Sequence, residues 1–213
     1  MSDDPHAITT HEQLRALVGQ PGSLASQKTI DHIDAICARF IAASPFVVLA
    51  TRGPDGLLDL SPKGDPAGFV GVLDAHTLAL PDRPGNKRFD SYENLMVDPT
   101  VGLIFLIPGR DETLRVAGQG RIRTDPALLD RFAVDGRAPR FVLLVQVREA
   151  FLHCAKCMLR SQMWQPEHWP DISDVPSLAE AMMVHGRLRD KQLVDSTADM
   201  QAIIDSDARQ RLY

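Results

Sequence analysis

The chain has 213 residues, 44% of them hydrophobic and 24% charged, with a formal net charge of -5. That length supports a sizeable core and the composition is that of a folded globular protein, one domain with terminal additions. The acidic balance excludes a general affinity for nucleic acid or anionic membranes, so any phosphate site must be local. No apolar run reaches bilayer length, and Met1, Asp4 and His6 open a segment without signal-peptide character. With Cys37, Cys154 and Cys157 as the only thiols, a secreted disulfide framework is not expected and the cytoplasm is the default compartment.

Thr10 and Gln13 fit a capping box ahead of a short apolar stripe at Leu14, Leu17 and Val18, and Pro21-Gly22 ends that helix. A second helix is predicted over 28–43, with Ile30, Ile33, Cys37, Phe40 and Ile41 on one face. The pattern then turns to strands at 46–51, 57–60, 68–73, 77–80, 101–107, 113–123 and 140–148, the first pair joined by the turn signal Gly53-Pro54-Asp55-Gly56. Close spacing of these runs favours a closed or nearly closed antiparallel barrel, which removes exposed edges. Helices at 88–97 and 126–132 interrupt the strands, the second capped by Thr124-Asp125. Beyond His153 the chain is helical and polar, loops over 165–176, and returns to helices at 177–185 and 191–208.

Four segments could carry chemistry. In the first, Arg83, Lys87 and Arg88 cluster with Gly85 and Asn86 just before a helical stretch, where unpaired backbone N–H groups and guanidinium forks suit an anion. The alternative is a solvated basic turn pairing with Asp82 and Asp90. In the second, Ser61 and Lys63 stand at a strand exit fixed by Pro62 and Gly64, either binding an anionic or carbonyl-rich ring or pairing locally with Asp59 or Asp65. The third is the alternating strand on which Thr113, Arg115 and Ala117 share a face, Arg115 being either a ligand donor or an exposed strand cation. The fourth runs from His153 to Trp164. Its lone Cys154-x-x-Cys157 gives a metal too few ligands and reads as small buried thiols, while Lys156, Arg160 and Trp164 fall along one helical face. Trp164 there either stacks on a planar ligand or packs in a core or interface. No G-x-S-x-G elbow, P-loop, H-E-x-x-H or G-x-G-x-x-G occurs.

Taken in order, Ser61-Pro62-Lys63-Gly64-Asp65-Pro66, Asp82-Arg83-Pro84-Gly85-Asn86-Lys87-Arg88, the stretches 102–109 and 112–118, and the segment 156–164 resemble the pyridoxamine 5′-phosphate oxidase-like family of FMN-binding split barrels, over roughly 40–164. The resemblance implies a mainly β fold with flanking helices, a six-stranded antiparallel split β-barrel at 44–164, and helical extensions at 1–43 and 165–213. It also implies a homodimer with FMN in the groove between subunits. Arg83, Asn86, Lys87 and Arg88 match the segment that holds the FMN phosphate, and Ser61 and Lys63 the strand and loop by the flavin ring or ribityl chain. Glu112, Thr113 and Arg115 match the strand lining the groove. Arg160 and Trp164 resemble a C-terminal segment contributed towards the cofactor, from either subunit. Ser161-Gln162-Met163-Trp164-Gln165 replaces the family's arginine- and histidine-bearing substrate signature, so vitamin B6 oxidation is not implied. An FMN-dependent oxidoreductase acting on a small organic substrate, a flavin carrier or sensor, and a split barrel holding F420 or haem are the readings that follow.

Overall fold

A computed structural model describes residues 4, 6–188 and 194–213, side chains of residues 24 and 25 excepted. Seven antiparallel strands form one sheet: β1 Phe46–Arg52, β2 Leu58–Gly64, β3 Gly71–Asp74, β4 Thr77–Pro81, β5 Thr100–Leu106, β6 Thr113–Arg123 and β7 Val142–His153, in the order β2-β1-β5-β6-β7-β4-β3. The resemblance implied six strands; the seventh is the short β3, which pairs only with β4. Each of the seven strand runs read from the sequence corresponds to one of these strands, β6 with the ends expected and the others with shifted ends. β7 runs on to His153, past the expected end at 148, and β2 continues through Pro62 to Gly64 instead of leaving the sheet at Ser61. Proline is admitted because β2 is an edge strand, paired on one side only, so the missing N–H costs no second ladder bond.

Helices α1 His11–Val18, α2 Ser23–Gln27 and α3 Ala35–Ala43 precede the sheet. Thr10 and Gln13 make the reciprocal capping box that the sequence signals. The helix expected over 28–43 forms only from Ala35. Ile30 instead forms an antiparallel bridge with Ala150, donating to its carbonyl at 3.0 Å, and helix starts only after Asp34 accepts the Cys37 N–H at 2.8 Å. The five apolar residues read as one helical face still reach the core, but Ile30 and Ile33 arrive there from extended chain. Ser44 then donates to the Leu106 carbonyl at 2.7 Å and ties the end of α3 to β5.

Helices α4 Asp90–Asn94, α5 Pro126–Arg131 and α6 Lys156–Ser161 are short, and α7 Leu178–Arg187 and α8 Thr197–Gln210 follow a loop with one 3-10 turn at Pro166–His168. The predicted cap of α5 does not form: Asp125 makes no cap bond and binds Arg123. Positions 191–193 of the helix expected over 191–208 lie outside the described residues. Met183 of α7 and Met200 of α8 pack together in a small apolar cluster of their own.

The main core lies on one face of the sheet, filled by alternate residues such as Val47 and Leu49 of β1, Leu103 and Phe105 of β5, Leu114 and Val116 of β6, and Val145 and Val147 of β7. Each such side chain withdrawn from water contributes about 1.5–3 kcal/mol. The longest ladder joins β6 to β7, and its register shifts between Ala117 and Gly118: Ala117 faces Glu149 whereas Gly118 faces Val147. Arg148 is thus the extra residue of a β-bulge, which keeps inward residues inward on both sides of it. A Cβ built on Gly118 would stand 2.2 Å from the Gln146 carbonyl oxygen, so only glycine permits this approach. Gly118→Ala is expected to cost about 3 kcal/mol or more of stability, read as a large drop in melting temperature; an unchanged melting temperature would show that the bulge tolerates a side chain.

Candidate functional site

The alternation of β2 sorts its residues. Leu58, Leu60 and Pro62 face outward and exposed, whereas Asp59, Ser61 and Lys63 turn half-buried toward the segment that follows β4. Together with Asp82, Arg83, Asn86, Lys87, Arg88, Tyr92 and Arg140 they enclose a cavity of about 280 Å³. Six of the residues singled out from the sequence, Ser61, Lys63, Arg83, Asn86, Lys87 and Arg88, therefore meet in one place.

Arg83 is held hardest. Its Nε donates to Asp65 Oδ2 at 2.5 Å and its Nη1 to the Phe132 carbonyl at 3.0 Å, while the Tyr213 hydroxyl donates to Asp65 Oδ1 at 2.5 Å. The Asp65 side chain is only 2% exposed, so this carboxylate is a fixed internal strut. A guanidinium carries five N–H donors and these contacts use two. Its partner is thus Asp65, not the Asp82 that a local turn would offer.

The loop leading to α4 turns sharply about Arg88. Lys87 and Phe89 both take left-handed φ angles, 60° and 58°. The Phe89 ring sits 5.9 Å from Tyr92 and 6.0 Å from Phe141, and Tyr92 meets Phe141 edge-on at 4.7 Å. That aromatic trio offsets backbone strain of about 1 kcal/mol or more per residue. Asn86 Oδ1 accepts the Arg88 N–H at 3.0 Å, and Arg88 Nε contacts Asp90 at 2.7 Å with its side chain 73% exposed. The sequence points to a helix N-terminus as the anion binder. Here α4 has five residues, opens with Asp90 and carries Glu93 in its first turn, so its positive end faces carboxylates already. Positive charge in this cavity comes from side chains on the loop and strand.

Five cations, Lys63, Arg83, Lys87, Arg88 and Arg140, face three carboxylates, Asp59, Asp82 and Asp90, across the lining. Asp59 accepts from the Ser91 hydroxyl and Asp90 is taken by Arg88. Asp82 is only 6% exposed, and burial pushes its carboxyl above the usual range against the pull of Arg140, Lys63 and Arg83. Burial likewise depresses Lys63, resisted by Asp82 and Asp59, and its Nζ lies 5.0 Å over the Tyr92 ring. Ser61 and Asn86 add neutral donors, so the set suits a phosphate monoester. A volume of about 280 Å³ falls at the lower edge of ligand-pocket sizes, enough for a phosphate and its linker but not for a large planar ring as well. Asp82 enters the sequence reading only as a local partner for the basic turn, and Tyr92 and Arg140 escape it because they carry no motif; Arg140 sits 57 positions past Arg83 and joins only through the return of β7.

The other five sequence candidates do not line this cavity. Thr113, 3% exposed, opens β6 opposite His153. Arg115 contacts Glu149 at 3.5 Å and lies 5.2 Å over Phe151, and Glu112 pairs with Arg110 at 2.9 Å. Trp164 Nε1 donates to the Arg110 carbonyl at 2.8 Å. Arg160 lies in the last turn of α6, whose Gln162 cap is left-handed at 52°, so Trp164 leaves the helix and shares no continuous face with Lys156 and Arg160. Cys154 and Cys157 are free and exposed, not buried, because α6 stands off the core. No group of three or more His, Cys, Asp or Glu residues able to hold a metal occurs among the described residues.

A mostly antiparallel sheet flanked by short helices, with a cationic cavity between an edge strand and a strained loop, defines a split-barrel protein. The chain belongs to the pyridoxamine 5′-phosphate oxidase family, whose profile matches residues 33–154. Among solved structures it is similar to a putative pyridoxamine 5′-phosphate oxidase from Lactobacillus delbrueckii, with 21% identity, a TM-score of 0.45 and coverage of 57% of this chain and 95% of that one. It is similar also to a Clostridium acetobutylicum protein related to general stress protein 26, with 16% identity, a TM-score of 0.40, and coverage of 54% and 83%. An FMN-binding protein from Syntrophomonas wolfei matches at 12% identity and a TM-score of 0.40, covering 55% of this chain and 81% of that chain. No curated protein matches the chain.

The Lys63–Asp82 proximity has a measurable consequence. A raised Asp82 pKa means that the neutral carboxyl favours folding, a contribution complete below the ordinary carboxylate range and lost as pH rises through the raised value. Lys63→Met removes an ammonium that lowers this value, so the Asp82 titration, followed by carboxyl carbon NMR, should move to higher pH. An unmoved titration would mean that the two groups do not interact.

Proposed function

We propose that this chain binds FMN, with the phosphate in the cavity between β2 and the 83–88 loop, and uses it as an oxidoreductase on a small organic substrate. The observation that carries the reading is the convergence of Lys63, Arg83, Lys87, Arg88 and Arg140 with the neutral donors Ser61 and Asn86 on one cavity of phosphate-and-linker size. Bound flavin would supply the hydride and electron chemistry. The chain's own part is to fix the phosphate with Arg83, itself braced by Asp65, and to set Lys63 and Ser61 along β2 toward the rest of the cofactor. Free Cys37, Cys154 and Cys157 favour the cytoplasm.

The same reading takes the protein as a homodimer, since one chain walls only part of a flavin site. Strand β2 is an unpaired edge with Leu58 at 70% and Leu60 at 65% exposed, and Leu57 in the preceding turn is 71% exposed. An apolar edge of this kind favours a protein partner. In this arrangement Glu112 and Arg115 would line the groove and Arg160 and Trp164 of one protomer would reach towards the cofactor of the other, whereas Thr113, 3% exposed, has little surface to offer. Leu60→Asp is expected to shift sedimentation from dimer to monomer and to weaken FMN binding with it; a dimer unaffected by the charge would place the interface elsewhere.

Yellow colour on purification, with flavin absorbance bands, is the first expectation. Arg88→Ala should weaken FMN binding at least tenfold and leave riboflavin binding nearly unchanged, because it removes a charge-assisted phosphate contact. Equal losses for the two ligands, measured by fluorescence titration, would refute the phosphate placement. Turnover with a nicotinamide reductant and an acceptor would then distinguish an oxidoreductase from a flavin carrier.

A further inference from the structure

The sheet has a second concave surface, on its outer face over β4, β6 and β7. It encloses about 350 Å³ and is lined by Thr77, Gln119, Arg121, Arg123, Leu144, Gln146 and Arg148, without a carboxylate among them. These are central strands, β6 held between β5 and β7 and β7 between β6 and β4, so their side-chain positions are set by ladders on both sides.

Gln119, Gln146 and Thr77 stand in register as one polar row across three strands, and Gln146 is steadied by donating to the His76 carbonyl at 3.2 Å. Arg121 and Arg123 follow on the same face of β6, about 7 Å apart along the strand. On the other side of the row stands Arg148, which shares this face with Gln146 two residues earlier on β7 and is the extra residue of the bulge. Arg123 is engaged at 2.7 Å by Asp125, and Glu149, next to Arg148, is taken by Arg115 at 3.5 Å. Arg121 and Arg148 make no ion pair among the described residues. A chain of net charge -5 thus gathers two uncompensated guanidinium groups around carboxamides and a hydroxyl, over the apolar Leu144. Mutual repulsion of these cations is relieved by a shared anion, and guanidinium forks match phosphoryl oxygens.

We propose that this groove is a second binding site, separate from the cavity at β2, for a small molecule carrying a phosphoryl group, held by Arg121 and Arg148 with Gln119 and Gln146 as neutral donors. It does not rest on the flavin reading. Calorimetric titration of the full chain with inorganic pyrophosphate, paired with NMR of the arginine Nε–H groups, tests it. Saturable binding is expected to perturb Arg121 and Arg148. Arg121→Gln and Arg148→Gln should each weaken it about tenfold, while Arg39→Gln, the same charge change at an exposed position on α3, leaves it unaltered. Equal loss in all three variants would reduce the effect to net charge and overturn the site. So would absence of saturation, or Nε–H groups of Arg121 and Arg148 already protected by a second copy before pyrophosphate is added.

Discussion

The close passage of Gly118 under the Gln146 carbonyl is the constraint on which the molecule turns. Strands β6 and β7 run for 11 and 12 residues and carry much of the core between them. A regular ladder of that length would put Val145 and Val147 out of phase with Ala150 and Leu152, because side-chain direction alternates strictly along a strand. One extra residue in β7 resets the phase, and the cost is a contact that no Cβ allows. The core stays continuous, and Arg148 is turned to the outer face beside Glu149.

Electrostatics in the β2 cavity are a balance between dehydration and a surplus of cations. Burial alone would neutralise both Asp82 and Lys63, since ions are costly away from water. The neighbouring charges oppose this on each: arginines and the lysine hold Asp82 down, Asp82 and Asp59 hold Lys63 up. Arg83 escapes the compromise because Asp65 is committed to it, with Tyr213 completing the carboxylate's partners from the far end of the sequence. The surplus of cations over carboxylates in the lining comes from side chains, not from a helix dipole.

Much of this was legible in the chain. Alternation at β6 and apolar runs at β1 and β5 mark strands because period-two patterns fit only a pleated surface, and Thr10-x-x-Gln13 marks a cap because two side chains satisfy two backbone N–H groups locally. Basic residues flanking Gly85, and the hydroxyl and ammonium near Pro62, are visible in the chain as clusters of donors because their chemistry is local too, and the fold brings both clusters to one cavity. The pattern over 28–43 predicts one helix because Ile30 and Ile33 fit a helical stripe equally well, and only the docking of Ile30 on Ala150 makes extended chain the better state. A helical pattern predicts Cys154 and Cys157 as buried, whereas their exposure depends on where α6 comes to rest.

By itself the sequence determined what depends on neighbours a few residues apart: strand and turn identity, the first helix cap, and the presence of a basic loop. Tertiary structure decided what depends on residues far apart. It chose Asp65 over Asp82 as the partner of Arg83, brought Arg140 and Tyr92 to the cavity, and left Thr113, Arg115 and Trp164 away from it. It also gathered three arginines from β6 and β7 into one groove. A linear pattern gives each charge several acceptable partners at similar energy, and only the packing of the sheet fixes which of them comes within hydrogen-bond reach.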